Sequence, residues 1–462
     1  MKTGYVIPTS EKVAYGVGDL AINIAFGSIS FYMLWFIVNI GGISPAWAGI
    51  IFLVARVWDA FFDYVVGRLS DNTKHPLGRS RPYIIYGAIP LGLSFIAIWY
   101  APPFEEIGRF FYFLVTYLIF NTVLAIVAIP YGSLMAQMTQ NYDERTELST
   151  YRVGLSFVGT LIAAAGIVLM TDVMFKSYSK ADAFGYVGII FGIIIMLLLI
   201  LTGIVSKERV NGERTNYEGF FTTIHSFLKL KEFRNTYGLF LFNNVGVGII
   251  MALFIFFLSD VLKVEGDATL FMAIPLVSAI VCAPFWNQMS NRYGKRLAYI
   301  IGSIFLSLVM LLVLLLPEKN VLYTTIVCIL AGIGISACQI IPMSIIPDII
   351  DIDEHKNGIR REGALNGILQ LMQKVATGLS IAGVSLIIEF YGYVKADETA
   401  GAAQAIVQPE TALTAIRILL AVAPAVCFVI SILCAWKLNV SKDRFNNIIR
   451  ELESRKKNGI EL

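Results

Sequence analysis

The sequence has little charge, few cysteines and almost no histidine. Asp, Glu, Lys and Arg account for 15% of the 462 residues, and the chain has five cysteines and three histidines. His75, His225 and His355 stand singly in polar segments, so no cluster of His and Cys ligands for zinc or haem is expected. The cysteines lie inside apolar segments, at spacings that form no CxxC pair and no disulfide framework. They are interpreted as small buried apolar residues.

A strongly basic surface is also missing. The formal net charge is +3, and the Lys and Arg residues occur in short segments between apolar runs, so a nucleic-acid partner is not expected. The stretch Gly16-Val-Gly18 begins like a dinucleotide-binding fingerprint, but no strand precedes it, and the sequence has no Walker-type phosphate loop. No nucleotide or other cofactor is therefore expected.

Long apolar runs take up most of the chain. Apolar residues make up 57% of the sequence, and the mean hydropathy is +0.71, which is more than a soluble core requires. A helix that crosses a hydrocarbon layer of ~30 Å needs ~20 residues. The sequence predicts an all-α membrane protein with twelve transmembrane helices, at residues 13–40, 46–69, 82–101, 109–140, 149–171, 185–206, 233–262, 267–290, 297–316, 321–352, 362–394 and 408–438.

The distribution of Lys and Arg predicts how these helices are oriented, because basic residues accumulate in cytoplasmic loops. Alternate loops, beginning with the one after the second segment, hold most of them: Arg68, Lys74, Arg79, Arg81, Arg145, Lys207, Arg209, Arg214, Lys229, Lys231, Arg234, Arg292, Lys295, Arg296, Lys356, Arg360 and Arg361. Both termini are therefore predicted to lie in the cytoplasm. The polar start, followed by an apolar run without a cleavage pattern, indicates a retained first helix and not a signal peptide.

Two landmarks recur along the chain at nearly the same spacing. Gly78 after the second segment corresponds to Gly294 after the eighth, 216 residues later, and Pro130 corresponds to Pro347, 217 residues later. A shared period indicates a duplication, which predicts two six-helix pseudo-repeats with a solute site between them near mid-membrane. The predicted units are a six-helix bundle at 1–206, a cytoplasmic linker at 207–232, a second six-helix bundle at 233–440 and a cytoplasmic tail at 441–462.

The second apolar segment carries three charges, Arg56, Asp59 and Asp63. A charge at the bilayer centre costs ~3 kcal/mol or more on insertion scales, so it persists where protein or water surrounds it. Asp59 and Asp63 are four residues apart, which places both carboxylates on one face of a helix. The pair predicts a site for Na⁺ or, through a carboxyl with a raised proton affinity, for H⁺. The alternative is a structural ion pair between Arg56 and Asp59.

Polar residues on the first and fifth segments are candidates for binding the solute. Asp19 and Asn23 repeat the four-residue spacing on the first helix, although a solvated helix end is the alternative for Asp19. Arg152 opens the fifth helix. Tyr131, close in sequence to these positions, is a candidate to stack on the flat C–H face of a sugar ring.

Lys374 lies in the middle of the eleventh segment, with Gln370 one turn earlier on the same face. A cation at this depth needs an anionic or strongly polar partner. Either Lys374 neutralises an aspartate of the second helix, or it holds the solute, and the two roles are compatible. Glu389 and Arg417, on the last two helices, are expected to pair with each other or with lipid headgroups.

A family resemblance covers both halves of the chain. The stretch Ala55-Arg-Val-Trp-Asp59-Ala-Phe-Phe-Asp63, followed by Gly67, Asp71-Asn-Thr and Gly78-Arg-Ser-Arg-Pro82, resembles the signature of the glycoside-pentoside-hexuronide:cation symporters of the major facilitator superfamily. Supporting positions are Tyr15-Gly16, Gly18, Ile129-Pro130-Tyr131, Arg152, Asp348, Asp351 and Lys374. The resemblance implies the major facilitator fold. We expect a protein of the bacterial inner membrane that acts as a monomer.

The resemblance also implies roles for individual residues. Asp59 and Asp63 would bind the coupling cation, Lys374 would link the cation and sugar sites, and Arg152 would contact the solute or act in a gate. The residues implied in cytoplasmic gating networks are Asp71, Arg145, Asp348, Asp351 and Arg360.

The sequence departs from the family pattern at the solute site. Where melibiose permease, a member of the family, has sugar-binding aspartates, this chain has Asn23 and Ala128, and Gly132 replaces a tryptophan. Galactoside specificity is therefore not carried over. With Arg152 and Lys374 kept, the cavity is expected to be more cationic, which favours an anionic solute such as a hexuronate or glucuronide. Metazoan relatives of the family move lysophospholipids, which is the alternative solute class.

The leading prediction is a secondary active transporter that couples entry of Na⁺ or H⁺ to symport of a sugar, glycoside or hexuronide by alternating access. The alternative is a transporter of lysophospholipids or other amphiphiles on the same fold, which a wide lateral opening and an apolar cavity wall would favour. A third interpretation is a membrane enzyme with Asp59 and Asp63 as its acid/base pair. We do not expect the protein to be an enzyme.

Overall fold

The computed structural model describes residues 6–139, 142–209, 231–263, 268–357, 362–394 and 408–438, and its long regular elements in these ranges are helices. In chain order they are α1 (Thr9–Asn39), α2 (Pro45–Asn72), α3 (Arg81–Ile98), α4 (Glu106–Met138), α5 (Tyr142–Leu161 and its continuation to Met174), α6 (Lys180–Val205), α7 (Lys231–Phe256 and its continuation to Val261), α8 (Ala268–Tyr293), α9 (Lys295–Leu315), α10 (Val321–Asn357), α11 (Glu362–Phe390) and α12 (Glu410–Trp436).

The helices have the lengths that crossing a membrane requires. Eleven are long and apolar enough by length and composition, and α2, which carries the three charges, is a further long helix. The prediction of twelve transmembrane helices is confirmed, with shifted ends. The sixth helix begins at Lys180 and not at residue 185, because Ser179 Oγ accepts a hydrogen bond from Asp182 N at 3.1 Å and so caps the first turn.

The first set of six helices (α1–α6) and the second set (α7–α12) pack alike. In the first set α1 packs against α5 and α6, α3 against α4 and α6, and α2 against α4. The equivalent pairs recur in the second set, where α7 packs against α11 and α12, α9 against α10 and α12, and α8 against α10. Between the sets, α2 packs against α11 and α5 packs against α8. These two contacts are equivalent, because α2 and α5 of the first set correspond to α8 and α11 of the second. The predicted pair of six-helix pseudo-repeats is therefore confirmed, related by an approximate twofold axis.

The two faces of the bundle are named here by the chain ends. The terminal face is the one at which α1 begins and α12 ends, and the distal face carries the connections at 40–44, 99–105 and 391–394. Basic loops predict that the terminal face is cytoplasmic.

On the terminal face, a carboxylate beyond the end of α6 fixes the start of α3. Glu208 accepts hydrogen bonds from the backbone N–H groups of Arg79, Ser80 and Arg81 at 2.7, 2.8 and 3.0 Å. Gly78 has a φ of +110°, and a Cβ there would lie 2.3 Å from the Glu208 carboxyl group. Glycine is therefore required for this close approach, and the motif that begins at Gly78 has a structural role as a helix start.

Candidate solute and cation site

Three ion pairs lie inside the helices that carry the candidate residues. Each charge has a partner of opposite sign, as expected where protein and lipid replace water. One pair lies within α2, one joins α11 to α2, and one joins α5 to α1: Arg56 with Asp59, Lys374 with Asp63, and Arg152 with Asp19. The structure therefore joins one predicted cation residue, Asp63, to one predicted solute residue, Lys374. It pairs two predicted solute residues, Asp19 and Arg152, with each other.

Asp59 is held by its own half of the molecule. Its Oδ2 lies 3.0 Å from Nη1 of Arg56, and both side chains are buried. Nη2 of Arg56 donates a hydrogen bond to the Tyr117 hydroxyl on α4 at 2.7 Å. Gly378 on α11 leaves room for the Arg56 stem, since a Cβ there would lie 2.1 Å from Arg56 Cγ. The ion pair between Arg56 and Asp59 is thus present, and a cation that binds Asp59 Oδ2 would compete with Arg56 for this oxygen.

Asp63 is held by the opposite half. Lys374 Nζ on α11 lies 2.5 Å from Asp63 Oδ2. The Lys374 and Asp63 side chains are 28% and 23% exposed, so the pair borders open space. The other carboxylate oxygen, Oδ1, is buried and has no hydrogen-bond partner among the residues that the structure describes. Lys374 therefore pairs with Asp63, and one oxygen of Asp63 remains available to a ligand.

Asp19 is buried and paired, and it is not a solvated helix end. Its Oδ1 lies 3.2 Å from Arg152 Nε, and the residue is 8% exposed. Asn23 Nδ2 donates to the Asp19 carbonyl oxygen at 2.8 Å and lies 3.4 Å from Oδ2. Thr160 Oγ1 on α5 lies 3.5 Å from Asn23 Oδ1. A carboxylate, that of Asp19, therefore lies one helical turn from Asn23.

Tyr131 is enclosed by its neighbours. Its ring stacks on Tyr15 with centroids 5.0 Å apart, and the Arg152 guanidinium carbon lies 5.5 Å from the ring centroid. The Tyr131 hydroxyl donates to the Tyr15 carbonyl at 2.8 Å, and the residue is 1% exposed. The predicted stacking of a sugar on Tyr131 is not possible in this arrangement, because the ring is already covered. Tyr131 instead positions Arg152 through a cation–π contact.

The residues on one face of α4 are buried near its distal end and exposed near its terminal end. Tyr117, Asn121, Ala128 and Gly132 share this face by helical periodicity. Tyr117 is 0% exposed and Asn121 is 7% exposed. Gly132 is exposed, and a Cβ there would have no atom within 4 Å. A side chain at Gly132 would therefore extend into open space, at the position where the resemblance leads one to expect a tryptophan.

The predicted cationic excess is not present in this group of residues. Arg152 is matched by Asp19, and Lys374 is matched by Asp63. The absence of aspartates at positions 23 and 128 is offset by Asp19, which neutralises Arg152. This pairing does not favour an anionic solute, and the charge of the solute stays a prediction.

Several predicted residues cannot be placed. Arg360 lies outside the described residues, and so do the side chains of Asp71, Arg145, Asp348, Asp351 and Gln370. Their gating and binding roles stay predictions. The expected Glu389–Arg417 pair is not found. The Glu389 carboxylate instead accepts a hydrogen bond from Ala46 N at the start of α2.

Tyr15, Tyr117 and Thr160 belong to the site but were missed in the sequence. Tyr15 stacks on Tyr131, Tyr117 accepts a hydrogen bond from Arg56, and Thr160 contacts the Asn23 amide, in each case between helices distant in the chain. An isolated Tyr or Thr in an apolar run is common in transmembrane helices, so no local pattern distinguishes these three. No cluster of three or more His, Cys, Asp or Glu that could hold a metal occurs in the described ranges.

The chain is similar to known transport proteins over most of its length. Residues 14–442 match the family model described as MFS/sugar transport protein. The chain is 29% identical to the uncharacterized symporter YnaJ of Bacillus subtilis, covering 97% of this chain and 95% of that protein. It is 28% identical to the isoprimeverose transporter of Lactiplantibacillus pentosus, with 84% and 82% covered.

A third relative differs in its solute. The chain is 24% identical to the sodium-dependent lysophosphatidylcholine symporter 1 of Xenopus tropicalis, covering 96% of this chain and 90% of that protein. Among solved structures, a bacterial homologue of the human lysosomal transporter Spinster superposes with a TM-score of 0.67 at 13% identity, with 93% of this chain and 95% of that chain covered. The structural likeness shows the fold alone.

Proposed function

Since the chain belongs to the MFS/sugar transport protein family, we propose that it carries a neutral sugar or glycoside across the membrane together with Na⁺ or H⁺. The two six-helix sets alternate in exposing the site to each side. The solute crosses chemically unchanged, so the protein is a transporter and not an enzyme, and the ion gradient drives uptake without a further cofactor. The name of the isoprimeverose transporter supports the solute class, and the names of the symporter relatives support cation coupling.

The observation that carries this proposal is the Lys374–Asp63 pair between the two sets. A cation that arrives at the unpartnered Oδ1 of Asp63 competes with Lys374 for one negative charge. Release of Lys374 removes an attraction between α2 and α11 and frees an ammonium group to donate to a solute hydroxyl. Cation binding thereby changes both the contact between the sets and the affinity for the solute.

The first set supplies the groups that bind a sugar. The Asp19 carboxylate accepts hydrogen bonds from hydroxyls, and the Asn23 amide and Arg152 guanidinium donate them. Arg152 is about one third exposed, at 36% of its side chain, so it can reach a solute while it keeps Asp19. The Arg152–Asp19 pair is neutral as a whole, so a neutral glycoside bound there leaves no uncompensated charge. A hexuronate would add a negative charge without a partner.

The remaining predictions become part of the proposal. The terminal face is cytoplasmic, and Asp71, Arg145, Asp348, Asp351 and Arg360 form the gate on that face. The sets are divided at residues 206 and 233, and one chain suffices for transport in a bacterial inner membrane. The relatives of bacterial origin support this location.

A binding screen tests the proposal. Purified protein is titrated with neutral mono- and disaccharides, uronates and lysophosphatidylcholine, with and without Na⁺, at two pH values. We expect a neutral glycoside to bind more tightly with the coupling cation present, and Asp63→Asn or Asp59→Asn to remove that dependence. The matched control is Asp172→Asn, since Asp172 forms a 2.6 Å ion pair with Lys180 at the distal face. Cation dependence that survives in both site variants overturns the assignment.

A second candidate function is transport of a lysophospholipid. An apolar cavity of about 80 Å³ lies between helices of the second set and Phe31 of α1, with Met251, Phe254, Met272, Met310 and Cys328 among its lining residues. Such walls suit an alkyl chain, and the name of the lysophosphatidylcholine relative agrees with it. Tight binding of lysophosphatidylcholine and no binding of any sugar in the same screen would favour this function over the first.

A further inference from the structure

Two polar contacts join the two helix sets at the distal face, away from the candidate site. One is centred on Tyr393, which follows α11, and the other on Glu389 near the end of α11. Both belong to the second set and reach residues of the first. Neither residue was predicted to act in the transport cycle.

Tyr393 connects the end of α1 to the end of α7. Its hydroxyl oxygen lies 2.7 Å from Asp260 Oδ2 and 3.0 Å from Asn39 Oδ1. A phenol has one hydrogen, so it can donate to only one of these oxygens. Asn39 Nδ2 is buried without a partner. The oxygen and nitrogen of the Asn39 amide are nearly equal in size, so the amide can be rotated to exchange their positions. In that orientation Asn39 Nδ2 donates to the Tyr393 hydroxyl, which donates to Asp260.

The environment of Tyr393 keeps this chain of hydrogen bonds in one direction. The residue is 5% exposed, and burial raises the pKa of its hydroxyl well above the ordinary value. Tyr393 therefore remains a donor at neutral pH. Asp260 also accepts from Ser259 Oγ at 3.0 Å, and the Tyr393 ring packs edge-on against Phe256 with centroids 5.5 Å apart.

Glu389 caps a helix of the opposite set. Its carboxylate accepts a hydrogen bond from Ala46 N in the first turn of α2, where unpaired N–H groups and the helix dipole favour a negative charge. The helices approach closely just below this cap. A Cβ at Gly49 on α2 would lie 3.1 Å from Ser385 Cβ and 3.5 Å from Ala382 Cα on α11.

We propose that Tyr393, with Asp260 and Asn39, and Glu389, with the start of α2, form a latch that holds the distal face closed. The proposal rests on the alternating-access function, in which the sets separate at this face for the site to open there. The Tyr393–Asn39 and Glu389–Ala46 contacts each join one set to the other, so both break in that step. The Tyr393–Asp260 contact lies within the second set and holds the Tyr393 hydroxyl in place. The latch residues thus set the ratio of the distal-closed to the distal-open state.

The expected size of the effect follows from ordinary hydrogen-bond energies. A neutral hydrogen bond contributes about 1 kcal/mol net, and one to a charged group about 1.5 to 3 kcal/mol. Loss of the Tyr393 hydroxyl should therefore lower the closed-to-open ratio by about fivefold, and loss of the Glu389 carboxylate by about tenfold or more.

Distances between spin labels measure this ratio without any solute. In a background without the five cysteines, labels are attached at exposed positions 104 in the first set and 321 in the second, both at the distal face. The test variants are Tyr393→Phe, which keeps the packing on Phe256, and Glu389→Ala. The matched controls are Tyr391→Phe and Glu410→Gln, both exposed and close to the latch in the chain.

We expect a longer-distance population to grow in both test variants and to stay at the parent level in both controls. Distance distributions in Tyr393→Phe and Glu389→Ala that match the parent overturn the latch. Equal growth in the controls also overturns it, since the change would then reflect general loosening. Because the labels report without solute, a failed sugar screen together with shifted distances would reject the proposed solute and keep the latch.

Discussion

Lys374 Nζ and Asp63 Oδ2, 2.5 Å apart, form an ion pair between the two helix sets. One turn away on α2, Asp59 is paired with Arg56 of its own helix. Two carboxylates on one helical face are therefore neutralised in different ways. Movement of the sets relative to each other would separate Lys374 from Asp63, whereas Arg56 and Asp59 lie on the same helix. Substitutions in the two pairs should accordingly have different effects.

Lys374→Ala should destabilise the protein more than the double variant Lys374→Ala/Asp63→Ala. Removing one partner of a fully buried ion pair costs about 3 to 5 kcal/mol because the other charge stays unpaired, and the cost is smaller where the pair is partly exposed. Removing both leaves no stranded charge. Thermal unfolding in detergent measures the difference as the midpoint temperature of each variant.

Lys180→Ala is the control for this comparison, because Lys180 pairs with Asp172 at the distal face and is 59% exposed. Exposed pairs contribute about 0 to 1 kcal/mol, so its midpoint should stay near that of the parent. A double variant as unstable as Lys374→Ala would show that Lys374 stabilises the fold through contacts other than Asp63.

Arg56→Gln should strengthen binding of the coupling cation. Arg56 competes with the cation for Asp59, and glutamine keeps much of the side-chain volume without the charge. Loss of a charged hydrogen bond of about 1.5 kcal/mol corresponds to about a tenfold tighter dissociation constant. Titration with Na⁺, or with acid if H⁺ is the coupling ion, measures it by calorimetry.

Tyr117→Phe removes one hydrogen bond of Arg56 and leaves its charge in place. We expect it to change cation affinity in the same direction as Arg56→Gln but by less. Weaker cation binding in Arg56→Gln would mean that Arg56 supports the cation site and does not compete with the ion.

The sequence was informative about periodic and charged features. Apolar runs predicted the twelve helices, and the spacing of Asp59 and Asp63 predicted carboxylates on one face of α2. It could not choose which aspartate Lys374 contacts, because 311 residues separate Lys374 from Asp63 and both aspartates lie within one helical turn. That choice depends on how α11 packs against α2.

Contacts made by aromatic rings and by backbone groups could not be predicted from the sequence either. Tyr131 was predicted to face the solute because of its position near polar residues, but its ring packs on Tyr15 of α1. Glu389 was expected to pair with Arg417 or with lipid headgroups, but it accepts a hydrogen bond from a backbone N–H group of α2. Nothing in the sequence around Glu389 indicates that its carboxylate accepts from the start of a distant helix. This contact is seen only when α2 and α11 are packed together.

Gly18→Ala should lower solute affinity and stability together. A Cβ at Gly18 would lie 2.6 Å from Tyr131 Cε2 and 2.9 Å from Thr202 Cγ2, so the Tyr131 ring must move away from Tyr15. Overpacking of this kind costs about 1 to 3 kcal/mol. The displaced ring would no longer position Arg152, and binding of the glycoside found in the screen should weaken.

The control for Gly18→Ala is Gly154→Ala, since a Cβ at Gly154 has no atom within 4 Å. Alanine is favoured over glycine in a helix by about 1 kcal/mol, so this variant should be as stable as the parent or slightly more stable. The packing account fails if Gly18→Ala binds the glycoside and unfolds as the parent does.

Gly132→Trp should make the protein discriminate against bulky glycosides. The open space at Gly132 adjoins Tyr131, which holds Arg152, so a large substituent of a solute bound at Arg152 has room there. An indole ring would fill that space. We expect binding of a glycoside with a large aromatic aglycone to weaken at least tenfold more than binding of its methyl glycoside, which corresponds to about 1.4 kcal/mol of discrimination.

Gly154→Trp is the matched control for this specificity change. Gly154 has equally open space, but it lies two residues after Arg152 and therefore roughly 200° around α5 from it. The control should bind both glycosides in the same ratio as the parent. If Gly132→Trp weakens both equally, the space at Gly132 is a passage to the site and does not hold the aglycone, and solute size must then be selected by other residues.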